Sequence, residues 1–231
     1  MIRNEMNQWK HLFKLDPEKP ISDEALEAIC MSGTDAVMIG GSTGITFENT
    51  VDLLSRVRRY TVPCVQEISD MESIVPGFDL YFIPVVMNST DSKWITGLHQ
   101  QAVKQYGHRI PWDQIVTEGY CILNPDCTAA RITDSHTALD EKDVAAYAKL
   151  GEQMFHLPVI YLEYSGMFGD MDKVRSAAWS LESARLFYGG GISNLEQAQQ
   201  ALEYADTIVV GNVIYTNLPS ALETVRAVQR V

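Results

Sequence analysis

The feature that most constrains this chain is a short apolar run, rich in β-branched and aromatic residues, that recurs eight times, at 11–15, 36–39, 62–68, 80–87, 120–123, 158–164, 185–188 and 207–210. Most of these runs are continuous rather than alternating, as expected of parallel strands covered on both faces. Helix start signals lie between them. Ser22 precedes Asp23 and Glu24 ahead of Leu26 and Ile29, with Gly33 placed to stop the helix; Thr46 precedes Phe47, Val51 and Leu54, with Arg56, Arg58 and Arg59 toward the C-terminal end. Asp140 precedes Val144 and Tyr147, Ser193 and Glu196 have capping-box spacing before Ala198, Ala201 and Leu202, and Pro219 suits a first turn before Leu222 and Val225.

Strand then helix, repeated about eight times, predicts an α/β fold of the (β/α)8 TIM-barrel type, with a doubly wound open sheet as the alternative. Only 18 residues separate Val62 from Leu80, too few for a strand, a full helix and two loops. Residues 69–78, with Pro76-Gly77 inside them, are therefore expected to replace the third helix by an irregular segment, giving a modified barrel. No Pro/Gly/Ser-rich linker interrupts the pattern, so residues 1–231 read as one domain.

Charge narrows the function classes. A net charge of -12 and a pI near 4.8 argue against nucleic acid as a partner and against strong electrostatic adhesion to an anionic membrane. No apolar run approaches the ~20 residues of a membrane span, and residues 1–10 are polar, so a cytoplasmic protein is expected. Cys30, Cys64, Cys121 and Cys127 form no C-x-x-C pair and read as reduced, buried thiols.

In a barrel, chemistry sits where strands run into loops at the C-terminal face. After the seventh run comes Gly189-Gly190-Gly191-Ile192-Ser193, and after the eighth Gly211-Asn212. Glycines let backbone approach a ligand closely, and a helix start offers free N–H groups, so this pair of loops suits a phosphate; tight turns alone are the plainer reading. The first run ends Lys14-Leu15-Asp16, whose alternation puts a cation and a carboxylate on one side, for an anionic substrate and a divalent metal or simply as an ion pair. Glu163 lies between apolar and aromatic neighbours, where burial would raise its pKa and suit a base, or where it is a paired structural carboxylate. The five histidines show no metal-ligand spacing, and G-x-G-x-x-G and P-loop motifs are missing. From Ser92 onward, Trp94, Leu98, Ala102 and Tyr106 recur every fourth residue, an apolar helical stripe with a small residue at its middle. Such a stripe is either core packing or the wall of a greasy groove.

Six ordered motifs between residues 11 and 215 together resemble the geranylgeranylglyceryl phosphate synthase family, in particular its bacterial PcrB branch of heptaprenylglyceryl phosphate synthases. They are His-Leu-Phe-Lys14-Leu-Asp16-Pro, Gly40-Gly-Ser42-Thr, Glu118-Gly-Tyr-Cys-Ile-Leu-Asn-Pro125, Tyr161-Leu-Glu-Tyr-Ser-Gly166, Tyr188-Gly-Gly-Gly191-Ile and Val210-Gly-Asn-Val-Ile. The resemblance implies a Mg2+-dependent prenyltransferase that joins sn-glycerol 1-phosphate to a polyprenyl diphosphate through an ether. It implies that Lys14, Tyr161, Leu162, Glu163, Tyr164, Ser165, Gly166, Gly191, Gly211 and Asn212 bind glycerol phosphate, and that Asp16 and Ser42 hold Mg2+. Glu163 becomes the candidate base, and Ala102, between Trp94, Leu98 and Tyr106, would leave a prenyl tunnel open for a heptaprenyl rather than a geranylgeranyl tail. A homodimer and a transient membrane contact through exposed apolar loops are also expected. The alternatives are a phosphosugar isomerase or lyase on the same barrel, and a barrel that binds without turnover.

Overall fold

The computed structural model describes residues 2–228. Met1 and residues 229–231, the ends of the domain expected from the sequence, lie outside the described residues. Among the described residues, eight parallel strands close into a barrel: β1 (His11–Leu15), β2 (Ala36–Ile39), β3 (Cys64–Glu67), β4 (Leu80–Val86), β5 (Ile115–Ile122), β6 (Val159–Glu163), β7 (Arg185–Gly189) and β8 (Thr207–Val210). Closure is direct, with Leu12 opposite both Ala36 of β2 and Val209 of β8. The open-sheet alternative is thereby set aside.

Strand alternation divides the apolar residues into two layers. Leu12, Met38, Val65, Phe82, Val116, Tyr161, Phe187 and Val209 fill the barrel, while Phe13, Val37, Cys64, Tyr81, Leu162, Tyr188 and Ile208 face the helices. The barrel's N-terminal end is filled by Met6, from a short helix α1 (Ile2–Met6), and by Trp9. Arg185 ties this plug down through the Trp9 carbonyl at 2.7 Å and the Thr207 hydroxyl at 3.0 Å. His11, fully buried, bonds Thr34 and Thr224 at 2.9 Å each; burial lowers its pKa to about 3, so it is a neutral structural residue.

Helices α2 (Asp23–Cys30), α3 (Phe47–Val57), α4 (Gly97–Tyr106), α5 (Thr128–Thr133), α6 (Glu141–Gln153), α7 (Met171–Ser180), α8 (Leu195–Leu202), α9 (Val213–Thr216) and α10 (Leu218–Thr224) follow the strands. Between β3 and β4 stands only a three-residue 3-10 turn, Met71–Ser73, so the third helix is missing as expected. Ser22, Thr46 and Asp140 cap their helices, and Pro219 sits in the first turn of α10.

Several local details differ from the sequence reading. The cap of α8 is Asn194, whose side chain accepts from the Gln197 N–H, while Ser193 bonds the Gln197 side chain instead. Helix α2 stops at Met31, and Gly33 takes its left-handed φ of 89° in the turn beyond. Helix α3 buries Thr50, Leu53, Leu54 and Val57, leaving Phe47 and Val51 exposed, because the face it turns to the core is the one carrying Thr50, Leu53 and Val57. Strand β5 begins at Ile115, five residues early, and the stripe from Ser92 is a 3-10 turn (Ser92–Trp94) followed by α4 rather than one helix.

Candidate active site

One cavity of about 1,390 Å³ occupies the C-terminal face of the barrel and continues down its outer side. It begins at the strand ends: Lys14 and Asp16 after β1, Gly40 to Ser42 after β2, Glu67 on β3, Glu163 on β6, Gly189 to Ser193 after β7, and Gly211 with Asn212 after β8.

The floor is a charged layer inside the barrel. Lys14 ion-pairs with Glu67 at 2.5 Å, and Tyr120 donates to Glu163 Oε2 at 2.6 Å while stacking on Tyr161 with ring centroids 4.6 Å apart. Beneath them Glu118 is fully buried and neither carboxyl oxygen has a partner among the described residues. Burial, with Glu67 beside it, raises Glu118 well above the ordinary carboxylate range and so favours its neutral form. Burial also raises Glu163, against the opposing pull of Lys14 and the Tyr120 hydrogen bond. For Lys14 burial works downward, but Glu67, Glu163 and Glu118 outweigh it and keep the ammonium charged. The layer therefore holds one fixed cation and a carboxylate adjustable toward neutrality.

The glycine loops can only be glycine. Gly190 and Gly191 take φ values of 135° and 63°, and a Cβ on Gly191 would lie 2.0 Å from the Phe168 backbone nitrogen. The Tyr188 hydroxyl braces this loop, accepting from the Gly169 N–H at 2.7 Å and donating to the Gly190 carbonyl at 2.9 Å. Opposite, the Tyr215 hydroxyl accepts from the Asp16 N–H at 2.8 Å, and Lys19 reaches Asn212 Oδ1 at 3.0 Å. The loops after β7 and β8 and the turn after β1 thus form one rim.

Mg2+ prefers hard oxygen donors and needs only one or two carboxylates when phosphate supplies the rest. Asp16 fits: its carboxylate lies against Gly41, where a Cβ would come within 2.9 Å of Oδ1, and the exposed Ser42 follows directly on the cavity wall. Among the described residues, no group of three or more His, Cys, Asp or Glu side chains converges into a complete metal cage. The donors present suit an ion that arrives with a phosphate-bearing substrate.

The second arm of the cavity is apolar. Trp94, Leu98, Ala102 and Tyr106 all line it, facing Tyr81 and Ile83 of β4 and Ile115 of β5, with Ile74 and Pro76 of the irregular segment on the other wall. The missing third helix is what leaves this space. None of the ten side chains of α4 is buried, so the helix roofs the groove rather than packing into the core.

Of the residues singled out from the sequence, Lys14, Asp16, Ser42, Tyr161, Glu163, Ser165, Gly166, Gly191, Gly211 and Asn212 all meet at this cavity. Leu162 and Tyr164 do not: their side chains belong to the outer, helix-facing layer, since alternation along β6 sends them the other way. Glu67, Glu118 and Tyr120 went unrecognised. The available signal was period two, which places Glu67 on the same face of β3 as Val65, and Glu118 and Tyr120 on the same face of β5 as Val116.

Comparison with known proteins agrees with this geometry. The chain is 55% identical over 226 residues, covering 98% of each sequence, to the heptaprenylglyceryl phosphate synthase of Anoxybacillus flavithermus. In structure it is similar to the (S)-3-O-geranylgeranylglyceryl phosphate synthase of Thermoplasma acidophilum, solved with its substrate sn-glycerol-1-phosphate, at a TM-score of 0.86 and 24% identity, covering 100% of this chain and 97% of that one. Tryptophan synthase from M. tuberculosis shares the barrel more distantly, with a TM-score of 0.56 and 15% identity over 98% of this chain and 95% of that one. The model of the PcrB family matches residues 4–229, and the chain belongs to that family.

Proposed function

We propose that this chain transfers a seven-unit prenyl group from its diphosphate to the C3 hydroxyl of sn-glycerol 1-phosphate, forming an ether. Transfer of a polyprenyl group to this acceptor is the activity named for its relatives. The observation that carries the reading is the continuity of the cavity, which joins a charged, glycine-rimmed end to an apolar groove. A small phosphosugar needs the first part and has no use for the second.

The phosphate of the acceptor is held by the backbone at Gly191 and at Gly211-Asn212, beside the start of α8, where N–H groups favour an anion. Lys14 supplies the cation on the inner side. That leaves the C3 hydroxyl to face Glu163, whose raised pKa makes it a better proton acceptor than an ordinary carboxylate. The hydroxyl oxygen bonds to C1 of the prenyl chain, the C1–O bond to diphosphate breaks with its electron pair leaving on the diphosphate, and the hydroxyl proton passes to Glu163. Asp16 and Ser42 would hold Mg2+, which when bound neutralises charge on the diphosphate. The apolar arm keeps water away from the allylic carbon.

A cytoplasmic homodimer that meets a membrane in passing belongs to the same reading. Among the described residues no helix is long and apolar enough to cross a membrane. Exposed Met154, Phe155 and Trp179 on or next to α6 and α7 give apolar surface for a second copy.

The full chain should be incubated with Mg2+, sn-glycerol 1-phosphate and prenyl diphosphates of fifteen to thirty-five carbons, with products read by mass spectrometry. A prenylated glycerol phosphate should appear, favour the thirty-five-carbon donor, and vanish with the 3-phosphate enantiomer or with EDTA. Folded protein that binds glycerol phosphate and yields no ether from any donor would contradict the proposal.

A further inference from the structure

The groove does not end beneath α4. The same cavity runs on past Tyr106 to Arg109, Ile110, Pro111 and Trp112, just before β5 begins. Trp112 lines the cavity and is also 56% exposed, so it stands at a second mouth, on the barrel end opposite the charged rim. A 3-10 turn, Trp112–Gln114, fixes it there, with Pro111 as the residue before the turn. Val103 of α4, which lines the same cavity, is half exposed as well. Among the described residues, no aromatic ring pairs with this indole, which is left partly in water at the open end of an apolar groove.

Length decides what such a residue can meet. The groove runs alongside β4, whose seven residues span about 23 Å at ~3.3 Å each. Carbon–carbon bonds of ~1.5 Å at ~111° advance about 1.25 Å each along an extended chain, so one isoprene unit covers ~5 Å. Four units reach about 20 Å and end alongside the strand, whereas seven reach about 35 Å and overrun it by roughly two to three units. A donor of seven units must therefore emerge at the lower mouth, and one of four units does not reach it.

We propose that Trp112 is the distal prenyl contact of this groove, its indole covering the last units of a thirty-five-carbon tail and so favouring that donor over a twenty-carbon one. The proposal rests on the prenyltransferase reading above and deepens it. Ala102 lets a long tail pass; Trp112 rewards the part that has passed. Indole faces suit apolar chains at a water boundary because they offer a large area with little rotamer entropy to lose.

The test is a competition between the twenty-carbon and thirty-five-carbon diphosphates on the full chain, read as the ratio of their kcat/KM values. Trp112→Ala should lower the ratio of long to short donor about five-fold, which corresponds to ~1 kcal/mol, and Trp112→Phe should restore most of it. In the Ala102→Trp background, where the groove is closed above the mouth, Trp112→Ala should leave the ratio where Ala102→Trp puts it. A uniform loss on both donors, with the ratio at its wild-type value, overturns the proposal, as does a further drop in the Ala102→Trp background. Wild-type protein that makes no ether from either donor would instead remove the activity on which the proposal stands.

Discussion

Strands β6 to β8 and strands β3 to β5 complete the same barrel under opposite packing. On the first flank every strand is followed by a helix that buries small or branched residues against it, Val174 and Ala177 on α7, Ala198 and Ala201 on α8. The loops there are pinned by hydrogen bonds such as Tyr188 to Gly169 and to Gly190. On the second flank one helix is absent and the next, α4, buries nothing; its His99 reaches the Pro84 carbonyl at 2.9 Å. A phosphate is small, charged and always the same shape, so rigid backbone is the suitable receptor. A prenyl tail is long, flexible and uniform, so what it needs is unfilled apolar space. The contrast teaches that a single barrel can specialise its two halves by keeping or omitting a helix while the strand register stays regular.

The largest expected effect lies between the two flanks. Glu163→Gln keeps the size of the side chain and its Tyr120 contact but removes the proton acceptor, so kcat should fall by about 10²–10⁴-fold. Because burial raises the Glu163 pKa, the wild-type rate should begin to decline on the acid side at a pH above the ordinary carboxylate range. A variant with near-normal turnover and unaltered folding would show that this carboxylate is not the base.

Next comes the rigid flank. Gly191→Ala places a Cβ 2.0 Å from one backbone atom and 2.1 Å from another, in a left-handed conformation. The loop must move, and a shift of about 1 Å at the phosphate should cost roughly 100-fold in kcat/KM for glycerol phosphate. The preference among donor tails should survive in whatever activity remains, measured by competition between donors. If tail preference changed as well, the two flanks would not be separable.

The smallest effect concerns the layer beneath both. Glu118 is raised by burial, so the folded chain holds its proton to a higher pH than the unfolded chain, which ionises near the usual carboxylate value. Its contribution to stability is present in full below that value and is lost as pH rises through the folded one. Glu118→Gln should therefore match the wild type in urea only at a pH below the ordinary carboxylate value of about 4.3 and resist unfolding better at neutral and alkaline pH. Parallel pH profiles for the two proteins would mean that Glu118 is ionised in the fold.

Much of this was readable before any coordinates. The spans of β1, β2 and β8 match because each is a compact run dominated by apolar residues, and the missing helix followed from one short spacing. Lys14, Asp16 and Glu163 stood out because charge at the end of an apolar run is conspicuous. The start of β5 was hidden because Thr117, Glu118 and Gly119 look like a loop, and only barrel closure turns Glu118 inward. Glu67 was hidden for a similar reason: a carboxylate at a strand end reads as solvated until Lys14 is seen beside it. The plug formed by Met6 and Trp9 could not be inferred from a polar terminus in which two apolar residues point the same way. The groove walls come from three separate segments, and no local pattern announces their meeting.

The division of labour between the flanks is tested most directly by Ala102→Trp, measured for both substrates in one preparation. Ala102 lines the groove at the middle of α4, far along the chain from the glycine rim. The account predicts that the ratio of kcat/KM for thirty-five- over twenty-carbon donors falls by about ten-fold or more, while the KM for sn-glycerol 1-phosphate stays within about two-fold of the wild type. A tail preference that does not move, or a glycerol phosphate KM that rises in step with it, would contradict the account.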